Sequence, residues 1–405
     1  MAVQELSLDV ALHIKYWHRC LKNVLPTGYT SMDSSRMTLG FFILSALDLL
    51  GAGAETFPED ERANIKDWIL KCQHPDGGFC GSPNHKYPDA AYVDVGHGKQ
   101  TMDPANLPAT YFAIMGLSFV GSLDGVRRDD CLRWIKGLQR EDGSFGEFIT
   151  QDGVIQGGTD MRISYAAMAI RWILKGDYDS SKEDGADIDV DQLVKYIRSG
   201  QTYDGGIGES SRHEAHAGYT YCAIASLKLA NRLSKSKDSE PISGLTNVDS
   251  TIRWLVSRQT GYTTESDEEE EGDAEHAPAV KLQGIYTEEP AHEDEEFVGF
   301  NGRCNKRADT CYAFWVGAAI NMLCQEKVEL LDIPAIRRFL FEQTQHRIGG
   351  FGKCPGDPPD IYHSYLALAA LATMKEPDLK PLDAALCVSI QQKEKIEQVR
   401  KAALV

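Results

Sequence analysis

The sequence predicts an all-α protein, an α–α barrel or toroid of about six helix pairs. Three observations lead to this prediction. A segment that ends near a glutamine and continues into a glycine-rich turn recurs five times along the chain. Long apolar segments without proline lie between these turns, and β-branched residues do not alternate strongly within them. Each repeat therefore combines an outer helix, a glycine turn and an inner helix.

The glycine turns share an aspartate or glycine after the glutamine and an apolar residue a few positions further on. Their segments are "WILKCQHPDGGFCG" (68–81), "WIKGLQREDGSFGE" (134–147), "YIRSGQTYDGGIGE" (196–209), "WLVSRQTGY" (254–262) resuming at "GFNGR" (299–303), and "FLFEQTQHRIGGFG" (339–352). Glycine provides the positive φ angles that a turn between helices needs, and aspartate caps the helix that follows.

The apolar segments predict buried inner helices because alanine and leucine dominate them on all sides. They span 38–51, 110–121, 164–174, 218–230, 311–323 and 362–374. The segments that end at the glutamines are more amphipathic, as expected of outer helices. Six inner helices around one axis would close as an α–α barrel. An open α-solenoid has the same local pattern and is the alternative.

The charge is concentrated in one segment. Residues 265–296 hold fourteen Asp and Glu against one Lys, which is −13 of the net −18. Such a run repels itself and predicts a disordered acidic insertion at 264–296 within a single domain spanning 1–405; an acidic docking segment is the alternative. The remaining residues are nearly balanced in charge, which argues against a nucleic-acid-binding protein.

Three features of the sequence predict a cytoplasmic protein. Its first residues, "MAVQELSLDVALHIKYWHRC", lack the basic start and apolar run of a secretory signal. No segment approaches the about 20 apolar residues of a transmembrane helix. The ten cysteines lack the spacing of a disulfide framework, so we expect reduced thiols.

Three potential metal ligands begin neighbouring inner helices. Asp309 and Cys311 start one of these helices, and His363 starts the next. Because a barrel of this kind brings the first residues of its inner helices to one end, all three are expected at the same mouth. Together they predict a zinc site with a free fourth coordination position, the catalytic type. The alternative is a capping aspartate beside a buried cysteine, with a structural histidine nearby.

A second cluster at the same end is suited to an anion. Its members are His216, Tyr219, Arg303, Lys306, Tyr312 and Lys353. Cations together with His and Tyr donors at helix N-termini suit an oxygen-rich group such as diphosphate. The alternative is that the basic residues pair with surface carboxylates.

Aromatic residues are frequent on the predicted inner helices. The inner wall of the toroid would carry Phe41, Phe42, Tyr111, Tyr165, Tyr219, Tyr221, Phe314 and Trp315. Such residues usually form core, but the lining of a toroid must either pack on itself or hold a long apolar ligand. Zinc, a diphosphate site and an aromatic tunnel together indicate a prenyl diphosphate donor and a thiol acceptor.

The motifs that carry these residues resemble the β subunit of protein prenyltransferases over nearly the whole chain, except for the acidic insertion. They are "EAHAGYTYC" (214–222), "GFNGRCNKRADTCYAFW" (299–315) and "DIYHSY" (360–365). The resemblance implies an α–α barrel that works as a heterodimer with a helical-repeat α subunit. It also implies one zinc ion per β subunit and, as acceptors, the C-terminal CaaX segments of small GTPases and similar proteins.

The resemblance also assigns roles to individual residues. It makes Asp309, Cys311 and His363 the zinc ligands and assigns the diphosphate to His216, Arg303, Lys306 and Tyr312. Its isoprenoid tunnel would include Arg162, Tyr165, Tyr219, Cys222 and Trp315. The pocket for the last acceptor residue, expected to be Leu, would use Asn106 and Ile163, where the animal enzymes carry His and Phe.

Two positions make the chain similar to type I geranylgeranyltransferases. Thr38, with Phe42 one turn further on, stands where farnesyltransferases have a Trp that closes the tunnel, and this leaves room for a further isoprene unit. Lys353 stands where farnesyltransferases have an Asp that recruits Mg²⁺, so the predicted chemistry uses geranylgeranyl diphosphate and zinc but not magnesium.

Other functions stay open as alternatives. Within the family they are a Rab-type geranylgeranyltransferase or a farnesyltransferase β subunit. Outside it, a terpene cyclase would need an acidic motif in the cavity, for which "DIDVD" (187–191) is the nearest candidate. A helical scaffold without enzymatic activity is the remaining alternative.

Overall fold

A computed structural model describes residues 7–83, 104–121, 123–150, 153–174, 187–233, 244–262, 297–324 and 329–402. The acidic insertion predicted at 264–296 lies outside these described residues. All ten cysteines are free thiols. None of the helices in the described ranges is long and apolar enough to cross a bilayer.

The described chain is predominantly helical. In chain order its α-helices are α1 (Val10–Lys22), α2 (Arg36–Leu49), α3 (Glu59–Leu70), α4 (Leu107–Phe119), α5 (Arg128–Gly137), α6 (Met161–Ile173), α7 (Val190–Ser199), α8 (Ala217–Leu229), α9 (Val248–Val256), α10 (Thr310–Leu323), α11 (Ile333–Arg338), α12 (Ile361–Thr373) and α13 (Ile390–Ala402). Three antiparallel strand pairs accompany them: β1 (Phe148–Ile149) with β2 (Ile155–Gln156), β3 (Gln259–Tyr262) with β4 (Phe297–Phe300), and β5 (Leu382–Asp383) with β6 (Val388–Ser389).

The even-numbered helices from α2 to α12 form a closed inner ring. Each contacts the next even-numbered helix, and α12 also contacts α2. Outer helices α1, α3, α5 and α9 pack against α2, α4, α6 and α10. The contact between the last and first inner helices confirms the toroid and excludes the open solenoid. The inner helices are apolar on all sides because they are enclosed: every residue of α12 except Tyr362 and His363 is buried.

The five glycine turns share one backbone pairing, from the glutamine to an apolar residue. The pairs are Gln73–Phe79, Gln139–Phe145, Gln201–Ile207, Gln259–Phe300 and Gln345–Phe351. Gly205 shows why the turns need glycine: its φ is +103°, and a Cβ there would lie 2.4 Å from the carbonyl carbon of Ser250 in α9. In the fourth turn, β3 precedes residues 263–296 and β4 follows them. Because β3 and β4 pair with each other, both ends of that segment join the toroid at neighbouring strands.

A hairpin after α12 closes the bore of the toroid. Its tip, Ala384–Cys387, joins β5 to β6. Four tyrosines, each the fifth residue of its inner helix, donate hydroxyl hydrogen bonds to the four consecutive carbonyls of the tip. The bonds run from Tyr221 to Ala384 (2.8 Å), Tyr165 to Ala385 (2.9 Å), Tyr111 to Leu386 (3.3 Å) and Tyr365 to Cys387. Because backbone carbonyls in an apolar interior need donors, these tyrosines hold the tip inside the ring.

Candidate active site

The first residues of the inner helices meet at one end of the bore, and side-chain caps fix their positions. An N-cap side chain accepts a hydrogen bond from a backbone N–H two or three residues further on. Five of the six inner helices have such a cap: Asn106, Asp160, His216, Asp309 and Asp360. Three of these caps, Asn106, His216 and Asp309, are also predicted site residues. Their role as helix caps is by itself enough to hold them at this mouth.

The three predicted metal ligands lie together at this mouth. Asp309 accepts a hydrogen bond from the Cys311 N–H through Oδ1 (2.8 Å), and the same oxygen lies 3.3 Å from Nε2 of His363. One ligand atom from each of the three residues lies within 4.8 Å of the others. A carboxylate oxygen, a thiol sulfur and an imidazole nitrogen at this spacing form a donor set that zinc accepts.

The charge balance of this cluster favours a cation. Burial raises the pKa of the Cys311 thiol well above its usual range, and the charge of Asp309 raises it further. Burial also opposes protonation of His363, but hydrogen bonds to Asp309 and Asp360 outweigh it and raise the pKa of His363 to about 9. Positive charge is therefore favoured between the carboxylates. A divalent cation there would satisfy them and allow the thiol to ionise.

Asp360 orients the imidazole of His363. Its Oδ2 lies 2.6 Å from Nδ1 of His363, while its Oδ1 accepts the His363 backbone N–H at 2.9 Å. The ring therefore donates Nδ1–H to Asp360 and turns Nε2 toward Asp309 and Cys311. This is the carboxylate–histidine–metal arrangement of many metal sites. Asp360 was not predicted from the sequence, although an aspartate three residues before a ligand histidine at a helix start is a usable signal.

We expect Asp360→Asn to weaken metal binding by roughly 10- to 100-fold, the usual effect of losing such an orienting carboxylate. The amide can still cap α12, so the loss should fall on the orientation and basicity of His363. Competition with a chromophoric zinc chelator measures the affinity. Asp357→Asn, a change at an exposed aspartate before the same helix, is the control. Equal affinities of Asp360→Asn and the unaltered protein would contradict this role.

His216 and Tyr312 form a hydrogen-bonded pair beside the metal cluster. Nδ1 of His216 accepts the Gly218 N–H (3.0 Å), and its Nε2 lies 3.2 Å from the Tyr312 hydroxyl. Burial lowers the pKa of His216, and the charges of Arg303 and Arg162 lower it further. The neutral ring therefore donates Nε2–H to the Tyr312 oxygen. This leaves the hydroxyl proton of Tyr312 to donate to another acceptor.

The loop that carries Arg303 packs against this pair. The Gly302 carbonyl accepts the N–H of Ala217 at the start of α8 (2.8 Å). A Cβ at Gly302 would lie only 2.4 Å from the Tyr312 hydroxyl oxygen, so this close approach requires glycine. The loop thus brings Arg303 to the mouth beside His216 and Tyr312.

The three predicted cations are exposed at the mouth. Arg303 lies 3.1 Å from the Glu214 carboxylate, the surface pairing that the sequence analysis kept as the alternative. Both side chains are about half exposed, and such pairs contribute little, so this pairing does not compete strongly with a ligand. Lys306 and Lys353 have no ion-pair partner among the residues that the structure describes. The Lys353 carbonyl accepts the N–H of Thr310 (3.0 Å), next to Asp309.

Partly exposed aromatic rings lead from the mouth to the hairpin tip. Phe42 stacks on Tyr365 with ring centroids 5.0 Å apart, and Trp315 packs edge-on against Tyr221 at 4.9 Å. The two tyrosines are buried and hydrogen-bonded to the tip, whereas Phe42 and Trp315 are only partly buried. The rings therefore form an apolar wall that ends at the hairpin. Thr38, also partly buried, lies one turn before Phe42 on α2.

The other residues predicted along the tunnel differ in environment. Arg162 is exposed, pairs with the buried Asp160 (2.5 Å), and lies over the partly buried ring of Tyr219 at 5.5 Å. Tyr165 and Cys222 are buried.

The two residues predicted for the peptide pocket also lie near the mouth. Asn106 caps α4 through a hydrogen bond from the Ala109 N–H (2.9 Å), so its side-chain oxygen has a structural partner. Ile163 is buried in the first turn of α6.

The acidic motif considered for a cyclase has structural roles. Asp187 pairs with Arg171 at 2.5 Å, Asp189 caps α7, and Asp191 pairs with Arg232 at 3.0 Å. These carboxylates stabilise an outer helix and its neighbours. They therefore supply no acid at the mouth.

Comparison with known proteins agrees with this geometry. The profile of the family described as "Prenyltransferase alpha-alpha toroid domain" matches residues 8–388. The chain is 31% identical over 385 residues to the "Geranylgeranyl transferase type-1 subunit beta" of Arabidopsis thaliana, covering 91% of this chain and 86% of that protein. It is 29% identical over 395 residues to the protein of the same name from Dictyostelium discoideum, covering 93% of each.

A solved structure is also similar. That of Candida albicans protein geranylgeranyltransferase-I complexed with GGPP aligns with a TM-score of 0.76 and 26% identity. The alignment covers 97% of this chain and 99% of that one.

Proposed function

Because the chain belongs to the prenyltransferase alpha-alpha toroid family, we propose that it is the β subunit of a zinc-dependent type I protein geranylgeranyltransferase. The enzyme would transfer the geranylgeranyl group from geranylgeranyl diphosphate to the cysteine thiol of a C-terminal CaaX motif. The observation that carries this proposal is the cluster of Asp309, Cys311 and His363 at the mouth of an aromatic-walled bore. The type 1 relatives support the choice of donor.

Asp309, Cys311 and His363 would hold the zinc ion, with Asp360 orienting His363. When bound, zinc supplies the Lewis acidity that lowers the pKa of the acceptor thiol from about 8.5 to below neutrality. The thiol proton then passes to solvent, so deprotonation of the acceptor thiol needs no general base from the protein.

The residues around the diphosphate would stabilise the leaving group. The thiolate attacks C1 of the donor, the C1–O bond breaks, and negative charge grows on the diphosphate. Tyr312, whose oxygen accepts from His216, is free to donate its O–H to a diphosphate oxygen. Arg303, Lys306 and Lys353 would add positive charge where that charge develops, which is usually the largest catalytic contribution.

The partner and the compartment follow from the same proposal. The β subunit would act with a helical-repeat α subunit as an obligate heterodimer. The ten free thiols, several of them partly or fully exposed, are suited to a reducing compartment such as the cytosol.

Coexpression with a candidate α chain tests the proposal. The zinc-loaded heterodimer is assayed with farnesyl and geranylgeranyl diphosphate on Cys-a-a-Leu and Cys-a-a-Ser peptides. We expect the geranylgeranyl donor to react faster, and the Leu peptide to be the better acceptor. A faster farnesyl reaction would identify a farnesyltransferase instead, and a requirement for a whole Rab protein would identify the Rab-type enzyme. No transfer to any acceptor would contradict the proposal.

We also expect catalysis without magnesium. Lys353 would place an ammonium group where a metal ion would otherwise neutralise the diphosphate, so zinc alone should restore most of the turnover of EDTA-treated enzyme. Lys353→Asp serves as the comparison, because a carboxylate there should make turnover depend on Mg²⁺. If the unaltered enzyme stays inactive with zinc until Mg²⁺ is added, this role of Lys353 is wrong.

A further inference from the structure

The residue before the glutamine of each glycine turn occupies a buried position. In four of the repeats a small, hydroxyl-bearing or apolar residue fills it: Cys72, Leu138, Gly200 and Thr344. In the fourth repeat the same position holds Arg258, which is only 5% exposed. A position that other repeats use for core packing thus carries a full positive charge here.

The contacts of Arg258 leave that charge without a counter-ion. Its guanidinium lies 4.8 Å from the Trp254 ring centroid, and Nε donates to the Trp254 carbonyl (3.4 Å). Nη2 contacts the Ser257 hydroxyl (3.2 Å) and the Cys304 sulfur (3.3 Å). Nη1 is buried and has no hydrogen-bond partner. No carboxylate pairs with Arg258 among the described residues. An unpaired buried charge is costly, so packing alone does not account for it.

Arg258 lies directly beneath the loop that carries two of the mouth's cations. Its carbonyl accepts the N–H of Asn301 (2.9 Å), and its guanidinium contacts Cys304, the neighbour of Arg303. Arg258 therefore contacts both ends of the segment 301–304. The Asn301 side-chain oxygen is also buried without a hydrogen-bond partner. Where Arg258 meets this segment, each side therefore has one buried polar atom without a hydrogen bond.

We propose that Arg258 is a positioning residue for the diphosphate group. It holds 301–304 so that Arg303 and Lys306 face the ligand, and it adds a fixed positive charge from beneath the loop. The negative charge that Arg258 lacks among the described residues is then supplied by the diphosphate. This inference rests on the proposed function, because it assigns a ligand to the same mouth.

The test replaces Arg258 with the residue that the second repeat uses at this position. Arg258→Leu should fold, since Leu138 is buried at the equivalent place. In the zinc-loaded heterodimer we expect inorganic pyrophosphate to bind at least about tenfold more weakly, and kcat for transfer to fall by a similar factor. Binding of uncharged geranylgeraniol should change less than about twofold, because the apolar wall is untouched. Arg258→Lys should recover part of the pyrophosphate affinity.

Two controls make the outcome decisive. Arg253→Leu removes an exposed arginine from α9, the helix that ends two residues before Arg258, and should leave pyrophosphate binding unchanged. Arg258→Met, which keeps the length of the side chain, repeats the test if the leucine variant does not fold. Unchanged pyrophosphate binding, or equal losses for pyrophosphate and geranylgeraniol, would overturn the inference. If the unaltered heterodimer transfers no isoprenoid, the proposed function fails instead, and the two failures are thereby distinguished.

Discussion

Replacing Cys311 with alanine is expected to remove bound zinc and to lower turnover by roughly a thousandfold or more. Cys311 provides the only sulfur of the three clustered donors, and its ligand atom lies within 4.8 Å of the other two. Without the metal, the acceptor cysteine would remain mostly a neutral thiol near pH 7. Zinc content by plasma emission spectroscopy and the single-turnover transfer rate measure the two effects.

Cys354→Ala is the matched control for this substitution. Cys354 is a partly buried thiol whose sulfur lies 3.8 Å from the carbonyl of Ala308, so it lies near the site but outside the metal cluster. We expect this variant to keep its zinc and its turnover. Stoichiometric zinc together with normal turnover in Cys311→Ala would refute the ligand assignment.

Replacing Thr38 with tryptophan is expected to reverse the donor preference, with a change in the ratio of kcat/KM values of about two orders of magnitude. Thr38 lies one turn before Phe42, and Phe42 is stacked on the buried Tyr365. Since protein interiors are packed like crystals, this wall cannot retreat to admit both an indole ring and a fourth isoprene unit. The ratio of kcat/KM for geranylgeranyl over farnesyl diphosphate is the measurement.

Thr38→Val separates volume from polarity at this position. Valine has nearly the size of threonine, so the preference for the longer donor should persist. If Thr38→Trp retains the preference of the unaltered enzyme, Thr38 does not line the end of the tunnel, and the length limit lies elsewhere in the bore.

Local pattern predicted the repeats well, because each repeat is specified by residues close in sequence. The glutamine turns and the apolar inner helices lie where the sequence pattern predicts them. Asp309, Cys311 and His363 meet because each lies at the start of an inner helix. The predicted ring closure is confirmed, although the local pattern alone does not require it. It depends on α12 contacting α2, which are far apart in the chain, and a solenoid has the same local sequence.

The aromatic lining shows a different limit. Tyr111, Tyr165 and Tyr221 were expected among the aromatic residues of the inner wall, and the resemblance alone placed Tyr165 along the isoprenoid tunnel. The structure shows them buried, with their hydroxyls bound to the hairpin tip. The repeat pattern does not predict that hairpin, because the hairpin follows the last inner helix and does not belong to any repeat. Which rings stay accessible therefore depends on a segment that periodicity does not describe.

Arg258 could have been found from sequence by aligning the repeats with each other. The comparison of Cys72, Leu138, Gly200 and Thr344 with Arg258 needs no structure. The interpretation of this difference does need a structure. Only its burial, and the lack of a counter-ion in the described part of the chain, distinguish this arginine from an ordinary surface residue.

The tip Ala384–Cys387 follows all six inner helices in the chain, yet tyrosines on four of them donate to its carbonyls. The ribosome therefore makes these phenol groups before it makes their acceptors. The closed end of the bore is thus encoded after every candidate site residue at the mouth, so a change confined to the tip would alter the floor and leave the mouth intact.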